Sequence, residues 1–179
     1  MPDSKVFLLL NSFNSGQLRK FSEFVSSPFF NKHPQLIQLA HLLIDNIRKQ
    51  KNAANRSNKS INGLEALSDD AQQLSYLNAK LLLLVYEFLA YEAYDRNKLR
   101  KHSYCLWQLR SYSLDTHEKG QIKKYQLERS KNNYASTESY YEDYFFYKTL
   151  DKLHLDKNVR MYDENLQKQN DALDIFYFF

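Results

Sequence analysis

The stretch whose reading decides the fold runs from Ser68 to Tyr94, SDDAQQLSYLNAKLLLLVYEFLAYEAY. Ser68, Asp69 and Asp70 are residue types that accept the orphan backbone N–H groups of a first helical turn, and the two carboxylates suit the positive end of a helix dipole. Ala71, Leu74, Leu77, Leu81, Leu84, Phe88 and Tyr91 then recur at three and four residues, which sets them on one face of a helix. Leu82, Val85 and Leu89 add a second apolar strip, so the C-terminal half of this helix is expected to be covered from more than one side. Such a helix spans roughly 40 Å, the length of a spine in a bundle or a helical solenoid. Lys80 and Glu87 bracket the wholly apolar run far short of the ~20 residues that hydrocarbon requires, so no membrane span is expected.

Composition points the same way. Among 179 residues there are only 3 Gly and 3 Pro, and no stretch alternates with period two, so a sheet has neither its turns nor its strands. One all-α domain over residues 1–179 is the expectation, with about seven or eight helices. The one cysteine, Cys105, cannot close an internal disulfide, and its solitude excludes a zinc site of several thiolates. The apolar run from Val6 to Leu10 is too short for the core of a secretory signal, and a cytoplasmic protein is expected. Net charge is +4 but unevenly spread: residues 96–131 hold 10 Lys and Arg against 3 Asp and Glu, residues 132–179 hold 5 against 9.

Outward from the central helix, the chain reads as follows. Ser4 caps a short helix carrying Val6, Phe7, Leu9, Leu10 and Phe13, and Asn14-Ser-Gly16 ends it or starts the next. Leu18, Phe21, Phe24 and Val25 form the inner stripe of a second helix, about Gln17 to Ser26, which Pro28 stops before Phe29 and Phe30 dock the turn. His33-Pro34 opens a third helix with Leu36, Ile37, Leu39, Ala40, Leu43, Ile44 and Ile47 inward. The pattern breaks from Lys49, and residues 50–63, rich in Asn, Lys and Ser, are expected to form a mobile connector.

After Asp95-Arg-Asn97 comes a fifth helix with Leu99, Leu106, Trp107 and Leu109, then a sixth from Thr116 that Gly120 interrupts and whose inner residues are Ile122, Tyr125 and Leu127. Ser136, Thr137 or Ser139 caps a seventh helix, and a last one begins near Asn158. In this second half of the chain helix pairs recur about every forty residues, the period of TPR- or HEAT-like right-handed helical stacks, although the TPR signature is missing around Trp107. The chain closes on Leu173, Ile175, Phe176, Tyr177, Phe178 and Phe179 without a polar last turn, so it is expected to be the N-terminal part of a longer protein.

Phe21-x-x-Phe24, then Ser27-Pro-Phe-Phe-Asn-Lys32, then LLLLVYEFLAYE from Leu81 to Glu92, then Leu166 and Leu173-Asp-Ile-Phe-Tyr177, occur in an order that resembles a group of uncharacterised, long, all-helical bacterial proteins. The resemblance spans most of the chain and rests on caps and core positions. It implies a longer parent chain and helical-repeat character, and it brings no activity or catalytic residue with it.

Chemistry-bearing constellations are sparse. His102 and Cys105 lie three apart but lack an orienting third residue, and a small apolar buried cysteine is the plainer expectation. Asp151 and His154 are half of a carboxylate-bridged metal motif whose second copy is missing. Neither a glycine-rich phosphate loop nor a hydrolase or zincin motif is present. No catalytic residue, cofactor or metal is expected, and the protein is read as non-enzymatic.

Two surfaces remain. Tyr140, Tyr141, Tyr144 and Tyr147, with Trp107 and Tyr112, can line a surface for a protein or peptide partner, or the tyrosines of 140–147 can be core. Arg96, Arg100, Lys101, Arg110, Lys123, Lys124, Arg129 and Lys131, interleaved with aromatics, can contact nucleic-acid phosphates. The first expectation is a helical scaffold or protein-interaction module, and the alternative is a nucleic-acid-binding helical domain; oligomeric state is open.

Overall fold

The computed structural model describes residues 4–52, 71–131, 136–156 and 164–178. These form an all-α array of eight helices: α1 (Lys5–Asn11), α2 (Ser15–Ser26), α3 (Pro34–Asn52), α4 (Ala71–Arg96), α5 (Lys98–Leu109), α6 (Asp115–Lys131), α7 (Thr137–Asp156) and α8 (Glu164–Phe178). A 3-10 turn, Arg110–Tyr112, follows α5, and no strand occurs among the described residues. The chain divides into two compact units, Met1–Glu92 and Ala93–Phe179, each with a hydrophobic core of its own.

In the first unit the caps sit where short polar residues precede apolar stripes. Ser4 Oγ accepts the Phe7 N–H, and Asn14 and Gln17 cap each other's backbone at the start of α2. Phe88 of α4 lies at the centre of an aromatic cluster, its ring 5.9 Å from Phe13, 5.4 Å from Phe21 and 5.6 Å from Phe24. Leu77, Leu81, Leu84 and Val85 extend that buried face, while Leu74, Leu82 and Leu89 pack at its margin. Beyond it Glu92 is buried, accepting from Gln17 Nε2 at 3.3 Å with Lys20 Nζ at 3.6 Å.

Several expectations need correction here. Phe30 docks as expected, stacked on Phe24 with centroids 4.0 Å apart, but Phe29 is 87% exposed because its turn is held instead by buried Asn31, whose side-chain amide donates to Val25 O at 2.9 Å. The third helix does not break at Lys49: it runs to Asn52, where Lys51 Nζ donates to Phe13 O at 2.6 Å and basic residues suit the C-terminal dipole. The expected connector, from residue 53 on, and the capping residues Ser68, Asp69 and Asp70 lie outside the described residues. Ala71 and Tyr91 are more exposed than their spacing implies, although the Tyr91 ring still meets Phe30 at 5.4 Å. By length and composition alone α4 is apolar enough to cross a membrane, and its inward face is the core just described.

In the second unit Asn97 caps α5 by accepting the Arg100 N–H at 2.9 Å. Leu99, Leu106, Tyr125, Phe146 and Leu153 form the core, in which the Tyr125 and Phe146 rings stack at 3.6 Å and 2°. Ser113, at φ 53°, takes the left-handed conformation that ends the 3-10 turn. Ser136 and Ser139 cap α7 reciprocally, side chain to backbone N–H, at 3.2 and 3.1 Å. Gly120 does not interrupt α6, which passes through it unbroken. Leu127 points outward, 61% exposed, because Tyr125 fills the inward position and two residues further turn the chain by more than half a circle. The expected start of the last helix, near Asn158, is outside the described residues; α8 is described from Glu164.

Candidate functional site

The second unit carries an exposed aromatic ridge flanked by cations. Helical spacing places Tyr104 and Trp107 one turn apart on α5, and Tyr141, Phe145, Lys148 and Lys152 along one side of α7. Packing of α5 on α7 then brings the Phe145 ring 5.2 Å from Tyr104 and 6.3 Å from Trp107, and Tyr94 adds a further ring 5.9 Å from Tyr104. Trp107 keeps 38% and Tyr104 46% of its surface in solvent. The Arg110 guanidinium lies 4.6 Å and Lys152 Nζ 4.8 Å from the Trp107 ring, and Lys101 Nζ lies 5.9 Å from that of Tyr94. Indole attracts cations to its face, so the ridge is apolar on top and positive at its rim.

The remaining aromatic candidates are distributed around it. Tyr141 is half exposed on α7, and Tyr112 is 61% exposed on the 3-10 turn. Tyr140 and Tyr144 are partly buried, the latter with Lys148 Nζ 5.4 Å from its ring. That ammonium donates to Asp174 at 2.8 Å, and the bond raises the pKa of Lys148 above the usual lysine range. Tyr147 turns towards the core, its ring 5.5 Å from Phe146, and burial followed by the nearby Asp143 charge pushes its phenol up. Tyr104 and Phe145, which lie outside the expected partner-binding set, complete the ridge. Phe145 carries no signal in the sequence beyond its place in an aromatic run, since what makes it count is contact with another helix.

The basic candidates are largely engaged. Arg100 pairs with buried Glu142 at 2.5 Å, Arg129 with Asp143 at 2.9 Å, Lys131 with Glu128 at 3.1 Å, and Lys101 with Asp95. Hydrogen bonding by Lys131 holds the Glu128 carboxyl below its ordinary range. Arg110 lies over Trp107, Arg96 is exposed at the end of α4, and Lys123 and Lys124 are exposed on α6. Arg96 also borders an open cleft of about 390 Å³ lined by Ala93, Asn97, Lys98, Leu99 and Glu128, where Lys98 and Glu128 approach to 3.6 Å.

The thiol and imidazole of α5 do not form a pair. His102 Nδ1 lies 2.9 Å from Gln121 Oε1, and Cys105 is exposed rather than buried, because it falls on the outer side of the helix between Tyr104 and the inward Leu106. No group of three or more His, Cys, Asp or Glu suited to a metal ion occurs among the described residues. Comparison of the chain with protein-family profiles, curated proteins and solved structures finds no match.

Proposed function

We propose that the chain is a non-enzymatic helical scaffold that captures a protein or peptide segment on the ridge of Tyr104, Trp107 and Phe145. The observation that carries this is Trp107, solvent-exposed yet held between Arg110 and Lys152. Trp, Tyr and Arg dominate the energetics of protein interfaces, and the rigid aromatics among them offer much contact area at little entropic cost. The positive rim favours a segment that is apolar with acidic residues beside it. Stacking of helix pairs in a TPR- or HEAT-like manner fits this role, and a reducing, cytoplasmic setting suits the exposed thiol of Cys105.

Because Trp107 is the sole tryptophan, its fluorescence reports on the ridge directly. Titration with acidic, aromatic-containing peptides is expected to shift that emission saturably, and Tyr104→Ala is expected to weaken the response with little change in melting temperature. No response to such peptides, or an equal response to basic ones, sinks the reading. The second reading, nucleic-acid binding, is favoured by the exposed Lys123 and Lys124 on α6. Engagement of Arg100, Arg129 and Lys131 by carboxylates weighs for the first. Salt-sensitive retention of RNA or DNA that Lys123→Ala and Lys124→Ala together abolish supports the second.

A further inference from the structure

The face of α4 opposite the core of the first unit is apolar and open. Tyr76, Ala79, Leu83, Tyr86 and Ala90 succeed one another at alternating steps of three and four residues, and all five are exposed, Leu83 by 61%. This is the spacing of the seam between two coiled helices. A lone solvated helix face has no use for it, and large apolar surface left in water marks a contact site.

We infer that a second copy of this chain covers this face, its own α4 packed antiparallel. Size and charge both select that partner. When the stripe is reversed on itself about the point between Leu83 and Tyr86, Leu83 of each copy lies opposite Tyr86 of the other, and Ala79 lies opposite Ala90. Large residues meet at the centre, and small ones let the backbones close in beside them. Lys80 and Glu87, one heptad apart, flank the stripe on the same side. Antiparallel pairing brings that flank against itself, so Lys80 of one copy meets Glu87 of the other twice by symmetry. Parallel pairing brings it instead against the opposite flank, where Leu82 and Leu89 lie, and leaves both charges unmatched. Lys80 Nζ already leans over the Tyr76 ring at 4.6 Å, placing the ammonium beside the stripe.

The test is light scattering and sedimentation of the full chain across micromolar concentrations. A dimer is expected, and Leu83→Glu is expected to give a monomer with unchanged helix content. Lys80→Glu alone and Glu87→Lys alone each set like charges against each other and are expected to raise the dimer dissociation constant by ~10-fold or more. Carrying both exchanges restores the opposite-charge pairs and is expected to restore the dimer. These surface exchanges keep the inference testable even where Leu83→Glu fails to fold. A chain that is monomeric throughout overturns it, as does a dimer indifferent to the single exchanges or unrescued by the double one. A monomer that sediments with phosphatidylcholine vesicles through Leu83 also overturns it, and makes lipid the occupant.

Discussion

The phenol of Tyr125 on α6 donates to Asp143 Oδ1 on α7 at 2.8 Å. The same carboxylate receives Arg129 Nε at 3.0 and 2.9 Å, so one acidic residue gathers two partners from the neighbouring helix while the Tyr125 ring lies flat on Phe146. Tyr125→Phe keeps the stack and removes the hydroxyl. A hydrogen bond to a charged acceptor contributes about 1.5 to 3 kcal/mol, and the lower end is expected because Arg129 still satisfies Asp143. Asp143→Ala is expected to cost more, since it removes a partner from both the phenol and the guanidinium. Urea unfolding of the two variants measures the difference, and equal losses would show that the acid serves only one of its partners.

The same phenol makes the second unit sensitive to alkali. Burial first, and the Asp143 charge after it, raise the Tyr125 pKa well above its ordinary 10.0. In the unfolded chain the proton leaves near ~10, whereas in the folded chain it stays. Above that pH the folded state binds more protons than the unfolded one, so stability falls as pH rises. The contribution of Tyr125 is whole below pH ~10 and is lost progressively above it. Stability measured from pH ~8 upwards is therefore expected to decline more steeply in the native protein than in Tyr125→Phe. Phenolate absorbance is expected to leave Tyr125 untitrated until the chain unfolds.

What could be read in advance divides by the range of the interactions involved. Ser4, Asn14, Pro28 and Pro34 act within one turn, and each bounds a helix near its expected place. The inward residues Leu77, Leu81, Leu84, Val85 and Phe88 follow from periodicity, since a face apolar at every turn must be buried somewhere. Periodicity says less where apolar residues surround the helix. On α4 it does not separate Leu84, in the core, from Leu83, in solvent, until the neighbouring helices are placed. The ridge is of that kind: Trp107 and Tyr104 were visible as aromatic residues, but Phe145 joins them only through α5 packing on α7. Likewise the excess of positive charge in 96–131 is plain in the sequence, while its balance by Glu142 and Asp143 is a property of the tertiary structure.

Phe29 and Phe30 are adjacent and identical, and their consequences are expected to differ sharply. Phe30 is half-buried and stacks on Phe24, also meeting Tyr91, whereas Phe29 touches only Phe30 among the described aromatic pairs and is 87% exposed. Truncating a fully buried Phe costs ~3–5 kcal/mol, and Phe30→Ala is expected to cost about 2 to 3 because part of its ring is already in water. Phe29→Ala is expected to stay within ~0.5 kcal/mol. Thermal melts of both decide it; a large loss at Phe29 would mean that the turn depends on the exposed ring.

Gln17 serves two structures at once, and this makes it costlier to lose than the residue it caps. Its backbone N–H donates to Asn14 Oδ1 at 2.8 Å, and its side-chain oxygen accepts the Asn14 N–H at 3.2 Å. Its side-chain nitrogen reaches across to Glu92 Oε2 at 3.3 Å, helping to satisfy a carboxylate that is only 7% exposed. Asn14→Ala removes a cap alone and is expected to cost ~1 kcal/mol. Gln17→Ala removes half the cap and a bond to a buried charge, and is expected to cost about 2 to 3 kcal/mol. Because the two caps are reciprocal, the double variant is expected to lose less than the sum of the singles, by roughly 0.5 kcal/mol or more. Denaturant unfolding of the four proteins in one cycle measures that coupling. Strict additivity would mean that the two side chains act independently.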